Sequence, residues 1–159
     1  MFETRKAVPD DAPIIAAHRK AMFMAMGGME ESVLEEVRRN SEPWLKRMIG
    51  RGRYLGWIVS DDDAPIASAG LLLLDWPPHP FDPAGENRGY LLNVFVESAY
   101  RRRGLAKQLV ETSMREARRL GIRMVSLHAS QAGRRLYEQL GFEANNEMLY
   151  IDPHPQTAA

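Results

Sequence analysis

Apolar residues recur at helical spacing through most of the first fifty positions, after one short segment of a different pattern. Thr4 to Val8 is typical of a short strand. Asp10 and Asp11 then offer a capping carboxylate, and the apolar positions that follow predict a helix to about Met24. The pair Gly27-Gly28 ends that helix.

The next apolar stripe begins near Glu30 and is interrupted by a proline. Pro43 lacks the backbone N–H that a helix interior requires, while Ser41 is a good N-cap for a new helix. The pattern therefore predicts two short helices, the second of which ends at Gly50.

Strand-like segments dominate the middle of the chain. Tyr54 to Ser60 and Ile66 to Leu74 flank an acidic turn and predict a β-hairpin. The proline-dense segment 75–83 must be a loop. Tyr90 to Val96 is almost uniformly apolar, as expected for a central strand that is buried on both faces.

Helical and strand-like segments alternate in the second half. A helix that begins near Gly104 and ends at Gly121 carries its apolar residues on one face. A strand at Met124–His128 and a helix at Ser130–Leu140 follow, and Glu147 to Ile151 predicts a last strand. The order indicates a single mixed α/β domain over residues 1–151, with 152–159 as a flexible polar tail.

Composition narrows the possible functions. The chain of 159 residues has 21 basic and 21 acidic side chains, so the formal net charge is zero. Binding to nucleic acid or an anionic membrane usually needs a basic excess, so neither partner is expected. Cysteine is absent, the N-terminus has no apolar signal segment, and the four histidines lack metal-ligand spacing. We therefore expect a cytoplasmic protein without a metal.

The junction between the central strand and the next helix has the composition of an anion site. Arg101, Arg102 and Arg103 precede Gly104, with the small Ala106 two residues later. Unpaired amides at a helix N-terminus attract anions, and arginine binds phosphate through forked donors. Three cations at this end of a helix oppose its dipole, so their arrangement is unfavourable unless an anion binds.

The same junction resembles a known family. The run Arg101–Ala106, RRRGLA, is similar to the pyrophosphate signature [Q/R]-x-x-G-x-[G/A] of the GNAT acetyltransferases. The segment 130–142 ends in Y-E-x-L-G-F and resembles the second hallmark of that family, in the expected order. The resemblance covers about residues 88–151 and implies an α/β GNAT fold. Its central sheet would be mixed, mostly antiparallel, splayed at the cofactor strand and flanked by helices.

The resemblance also implies acetyl-coenzyme A as co-substrate and a set of residues that bind it. Strand residues would pair with the pantetheine arm, and amides from about 102 to 107 would hold the pyrophosphate. Ser130 stands where many members carry a pantetheine-binding asparagine, and it serves equally well as an N-cap. Tyr137 would protonate the departing thiolate. The implied cofactor residues are Val94, Phe95, Val96, Arg101, Arg102, Arg103, Gly104, Leu105, Ala106, Lys107 and Ser130.

The family resemblance places the acceptor beside the loop between the first two helices. Met26, Met29, Glu30, Trp76 and Asn93 are the candidate acceptor residues, and they favour a cationic amine with an apolar body. The alternative for Glu30 is that it only stabilises the N-terminus of a helix. A protein of this kind would acetylate a primary amine of a small molecule or peptide, with a homodimer possible. The rival hypothesis is a degenerate domain that binds coenzyme A as a sensor or interaction module.

Overall fold

A five-stranded sheet organises the fold. The computed structural model describes residues 1–154. The strands lie in the order β1-β2-β3-β4-β5, antiparallel except for the parallel pair β4 and β5. This confirms the predicted mixed, mostly antiparallel sheet. The strands are β1 Phe2–Lys6, β2 Tyr54–Asp61, β3 Ala64–Asp75, β4 Asn87–Val96 and β5 Val125–Leu127.

Helices cover both faces of the sheet and divide the core into two clusters. One cluster, with Ile15 and Leu45 fully buried, lies under α1 and α2. The other, with Leu105 and Leu109, lies under α3. No helix within residues 1–154 has the length and apolar character to cross a bilayer. The helices are α1 Ala12–Met26, α2 Glu31–Gly50, α3 Leu105–Arg119 and α4 Arg134–Gln139, with single 3-10 turns at Pro9–Asp11 and Ser98–Tyr100.

The prediction of two helices between residues 30 and 50 is wrong, because α2 is one continuous helix with Pro43 inside it. Leu34 and Leu45 are both buried on the same stripe, so core packing holds both halves in line. Pro43 lies on the solvent face, where water can reach the carbonyl that loses its partner. Ser41 does not cap a helix; its hydroxyl donates to the carbonyl of Val37 at 2.6 Å.

The last predicted strand is also wrong. Within the described residues, 147–151 has no strand, and its side chains from Met148 to Ile151 are 75–97% exposed. The neighbouring edge strand β5 has only three residues, which offers a short ladder for any further pairing. The predicted helix 130–140 shortens to α4, since residues 131–133 form a turn. Residues 155–159 of the predicted tail lie outside the described residues.

Gly70 on β3 is required by packing rather than by backbone conformation. The ring of Tyr54 lies directly against it, and a Cβ added there would overlap the phenol. Tyr54 is 1% exposed and belongs to the core under α1 and α2.

We predict that Gly70→Ala destabilises the fold by roughly 1–3 kcal/mol, because the fully buried phenol of Tyr54 must move to admit the methyl group. Gly50→Ala is the control, since a Cβ there meets only a side-chain carbon of Pro9 at 3.9 Å within α2. Urea unfolding should give a lower midpoint for the first variant alone; equal midpoints would contradict the packing argument.

His18 is a titratable group buried between α1 and the sheet. It is 5% exposed, its Nδ1 lies 2.7 Å from the hydroxyl of Ser68, and its ring packs on Phe95 at 4.9 Å. Burial lowers the pKa of His18, an effect that the Glu97 carboxylate and the Pro65 carbonyl partly oppose.

A pH dependence of stability follows. The unfolded state, in which His18 has a pKa near 6.5, binds a proton more readily than the folded state. The contribution of His18 to the free energy of unfolding is therefore complete above about pH 6.5, and it declines as the pH falls towards the pKa of His18 in the folded state. The slope of unfolding free energy against pH just below 6.5 should be positive in the wild type and smaller in His18→Gln. Identical slopes would show that His18 does not titrate on unfolding.

Candidate active site

A large groove opens where strands β4 and β5 part. The two strands pair only between Gly89–Leu91 and Val125–Leu127, while β4 continues to Val96. The sheet is therefore splayed in this region, as predicted. The groove encloses about 1060 Å³ between the end of β4, the start of α3 and the loop after β5, with one wall from Met22, Ala25 and Met26 of α1.

Strand β4 is bulged beside this groove. Gly70 of β3 faces Leu92 and Ser68 faces Phe95, so Asn93 and Val94 together oppose the single residue Ala69. Asn93 has a φ of 56°, an uncommon conformation for a residue other than glycine. A bulge disrupts the ladder locally, which leaves backbone groups of β4 free to bind a ligand at this point.

Hydrogen bonds hold the bulge on the α1 and α2 side of the sheet. Asn93 is 3% exposed and donates through Nδ2 to the hydroxyl of Tyr54 at 3.0 Å. It accepts through Oδ1 from the guanidinium of Arg19 at 2.7 Å. Burial raises the pKa of Tyr54 to about 12, so the phenol stays protonated. Asn93 is thus fixed by two long-range partners.

The turn before α3 exposes backbone amides to the groove. Arg102 and Gly104 have φ values of 63° and 80°, and a Cβ added at Gly104 would meet nothing within 4 Å. The first intrahelical bond of α3 runs from Gln108 to Gly104, so the amides of residues 105–107 have no partner within the helix. In the described chain, no side chain caps this end either. The space and the donors suit a bulky anion.

The structure brings almost all predicted cofactor residues to one groove. Arg103 is the exception; its guanidinium lies over the ring of Tyr100 at 5.2 Å instead. Leu105 contributes mainly its backbone, since its side chain belongs to the core under α3. The predicted residues that line the groove are Val94, Phe95, Val96, Arg101, Arg102, Gly104, Leu105, Ala106, Lys107 and Ser130.

Tyr137 lies in an adjoining cavity of about 460 Å³, between α4 and β5. Its ring packs edge-on against Phe142 at 5.9 Å, and burial raises the pKa of its phenol. The adjoining cavity shares Ala129, Ser130 and Gln131 with the large groove, so one wall separates the tyrosine from it. Ser130 also holds the turn before α4 by accepting the N–H of Gly133 at 3.1 Å.

The predicted acceptor residues do not share one cavity. Met26 lines the large groove, whereas Asn93 faces a third cavity under α1 and α2. Met29 is exposed at the α1–α2 connection, and Glu30 is the N-cap residue of α2. Trp76 lies against the guanidinium of Arg88 at 4.1 Å, in a loop cavity with Asp75 and Glu86.

Sequence reasoning missed Arg19 and Tyr54. Arg19 lies next to the apolar stripe of α1 that carries Ile15, His18 and Met22, and a charged residue beside a buried stripe was the available signal. Tyr54 had no such signal, since an aromatic residue at the start of a strand is usually packing. Within residues 1–154, no three potential metal-ligating side chains lie together.

Known proteins share this architecture. The profile of the acetyltransferase (GNAT) family matches residues 23–142. A GCN5-related N-acetyltransferase from Ralstonia eutropha JMP134 superimposes with a TM-score of 0.91 at 32% identity, over 97% of this chain and 100% of that one. A predicted acetyltransferase with acetyl-CoA from Clostridium acetobutylicum gives a TM-score of 0.84 at 25% identity, over 96% of each chain.

Sequence relatives agree over a shorter range. N-acetyltransferase 8 of Homo sapiens is 29% identical over 97 residues, which cover 59% of this chain and 40% of that protein. The chain spans less than half the length of the curated relatives it matches, at 40% and 46%. The resemblance based on the segments Arg101–Ala106 and 130–142 is confirmed, and the chain belongs to the acetyltransferase (GNAT) family.

Proposed function

We propose that this protein transfers an acetyl group from acetyl-coenzyme A directly to a primary amine of a small molecule or peptide. The observation that carries the proposal is the continuity of one groove from the amides of residues 105–107 to the bulge at Val94. Such a groove suits a long ligand with an anionic end and a reactive end. The related structure from Clostridium acetobutylicum with acetyl-CoA supports the same assignment.

The anionic end of coenzyme A would lie at the start of α3. Free amides of residues 105–107 would donate to the pyrophosphate, and the positive end of the helix dipole favours its charge. Arg101, Arg102 and Lys107 line the same part of the groove and add positive charge. The open space at Gly104 leaves room for phosphate oxygens to approach the backbone.

The pantetheine arm would lie along the part of β4 that has no pairing with β5. Val94 to Val96 line the groove there, and amide groups of the arm would add to the strand as a peptide does in β-augmentation. Ser130 lines the opposite wall.

The bulge would bring the thioester carbonyl to backbone groups of β4. A free amide at Val94 would stabilise the negative charge that develops on the carbonyl oxygen as the amine attacks. The C–N bond forms, the C–S bond breaks, and the attacking nitrogen loses a proton to solvent. Tyr137 would reach the departing thiolate through a shift of the wall that Ala129, Ser130 and Gln131 form between the two cavities, give it a proton and recover one from water. The raised pKa of Tyr137 keeps this phenol protonated at neutral pH.

The cofactor site predicts that Gly104→Asp weakens coenzyme A binding by at least about 100-fold, because a carboxylate would enter the space assigned to the pyrophosphate. Gly121→Asp is a matched control at the other end of α3, with a φ of 74° and equally open space. Calorimetry with coenzyme A should show wild-type affinity for the control. Equal affinities of both variants and the wild type would refute the assignment.

Tyr137→Phe tests the leaving-group role. It removes one oxygen and retains the packing on Phe142, so we expect kcat to fall about 10- to 10⁴-fold at saturating acetyl-coenzyme A. Tyr150→Phe, at a tyrosine that is 82% exposed, should leave kcat unchanged. Thiol release with a panel of amines is the readout, and an unchanged kcat would assign Tyr137 to packing alone.

A further inference from the structure

A third cavity, of about 360 Å³, lies on the side of β4 that faces α1 and α2. It meets the strand at Leu92 and Asn93, one residue before the groove begins at Val94. Its volume suits a compact ligand. Its walls combine apolar side chains with polar groups from α1, α2 and β4. The lining residues are Arg19, Asn40, Ser41, Trp44, Leu45, Leu72, Leu92 and Asn93.

The charge of Arg19 is largely uncompensated. Its guanidinium donates to Asn93 at 2.7 Å and lies 4.9 Å from the ring centre of Phe23, and no carboxylate among residues 1–154 forms an ion pair with it. Burial lowers the pKa of Arg19, as expected for a cation removed from water without a counterion. A guanidinium has five N–H donors, and a half-buried arginine usually engages several of them.

The remaining donors of Arg19 are accessible to a ligand. Within the described chain, Arg88 Nε is the only fully buried side-chain nitrogen or oxygen atom without a hydrogen-bond partner. The Nε and Nη2 atoms of Arg19 form no hydrogen bond within residues 1–154, and they are not among the fully buried atoms, so solvent reaches them. Arg19 lines the third cavity, which gives a ligand access to these donors. The bond to Asn93, which Tyr54 holds in turn, fixes the direction of the guanidinium.

Neighbouring carboxylates are engaged by other cations. Lys20 lies 2.8 Å from Glu35 and 3.9 Å from Glu31, and Arg38 lies 2.6 Å from both Glu35 and Glu42. These pairs leave Arg19 as the uncompensated charge of the third cavity. The local field therefore favours an anionic group, in contrast to the cationic acceptor that Glu30 suggested from sequence.

We propose that Arg19 binds a carboxylate of the acceptor, and that the acceptor is a primary amine with a carboxylate and an apolar body, as in an apolar amino acid. This inference rests on the proposed acetyl transfer. The forked donors of Arg19 match a carboxylate, while Trp44, Leu72 and Leu92 contact the apolar body. The amine then lies towards Asn93 and the bulge, where the groove delivers the acetyl group.

Matched pairs of amines test the proposal. Phenylalanine with phenethylamine, and leucine with isoamylamine, differ only in the carboxylate. We expect the wild type to favour the carboxylated member in kcat/KM by roughly 10- to 100-fold, the usual worth of a hydrogen-bonded charge pair. Arg19→Gln should reduce this ratio to about one, mainly through a raised KM for the carboxylated member. The ratio within each pair is the readout, because loss of the bond to Asn93 affects both members of a pair alike. Arg39 is an exposed arginine of α2. Arg39→Gln is therefore the charge-matched control and should retain the preference.

A second measurement separates this inference from the proposed function. Calorimetry of the coenzyme A complex with the same amines reports binding without turnover. Binding that depends on the carboxylate and is abolished by Arg19→Gln supports the acceptor site, even if no thiol is released. In that case only the proposed acetyl transfer to these amines is refuted. Thiol release without a carboxylate preference, or an equal preference in Arg19→Gln, overturns the role of Arg19 and leaves acetyl transfer intact. Absence of both binding and turnover for every carboxylated amine also overturns the inference.

Discussion

Strand β4 places two residues, Asn93 and Val94, opposite the single residue Ala69 of β3, and the large groove and the third cavity meet the strand at these two residues. The mismatch costs ladder hydrogen bonds and forces Asn93 to a positive φ. Bonds from Arg19 and to Tyr54 offset that cost, and the close contact of Tyr54 with Gly70 keeps the phenol in place. The bulge is therefore supported by the core as well as by its own strand.

Charge is distributed locally although the chain is neutral as a whole, with 21 basic and 21 acidic side chains. At the start of α3, Arg101, Arg102 and Lys107 line the groove, and the carboxylate of Glu97 lies just before them in the chain. On the opposite side of β4, Lys20 and Arg38 are paired with carboxylates, and Arg19, the charged residue that lines the third cavity, has no ion pair among residues 1–154. Net charge argues against broad classes of partner, whereas the two proposed anion sites rest on the local arrangement of charge around each cavity.

Features encoded by neighbouring residues could be predicted from the sequence. The turn at Arg101–Ala106 is local, since an αL glycine, a helix start and basic residues all fall within six positions. The network of Asn93 could not be predicted, because its partners lie 74 and 39 positions away and no periodicity reports a bulge. The predicted helix break at Pro43 was wrong for a related reason. Local preference favoured a break at the proline, whereas buried leucines on both sides of it kept α2 continuous. The apolar run at Met148–Ile151 has strand-like composition, yet composition does not say whether an edge is available to pair with it.

The position of Asn93 and Val94 as adjacent residues of one strand has a thermodynamic consequence. Asn93 lines the third cavity, and Val94 lines the large groove between β4 and β5. Because the two residues are adjacent in the chain, a single peptide unit lies between the two cavities. A ligand that shifts this peptide on one side changes the geometry offered on the other. Thermodynamic linkage then requires reciprocity, because the factor by which the first ligand changes the affinity for the second equals the factor by which the second changes the affinity for the first. Any cooperativity between ligands at the two proposed sites is thus expected to depend on the stiffness of this one backbone segment.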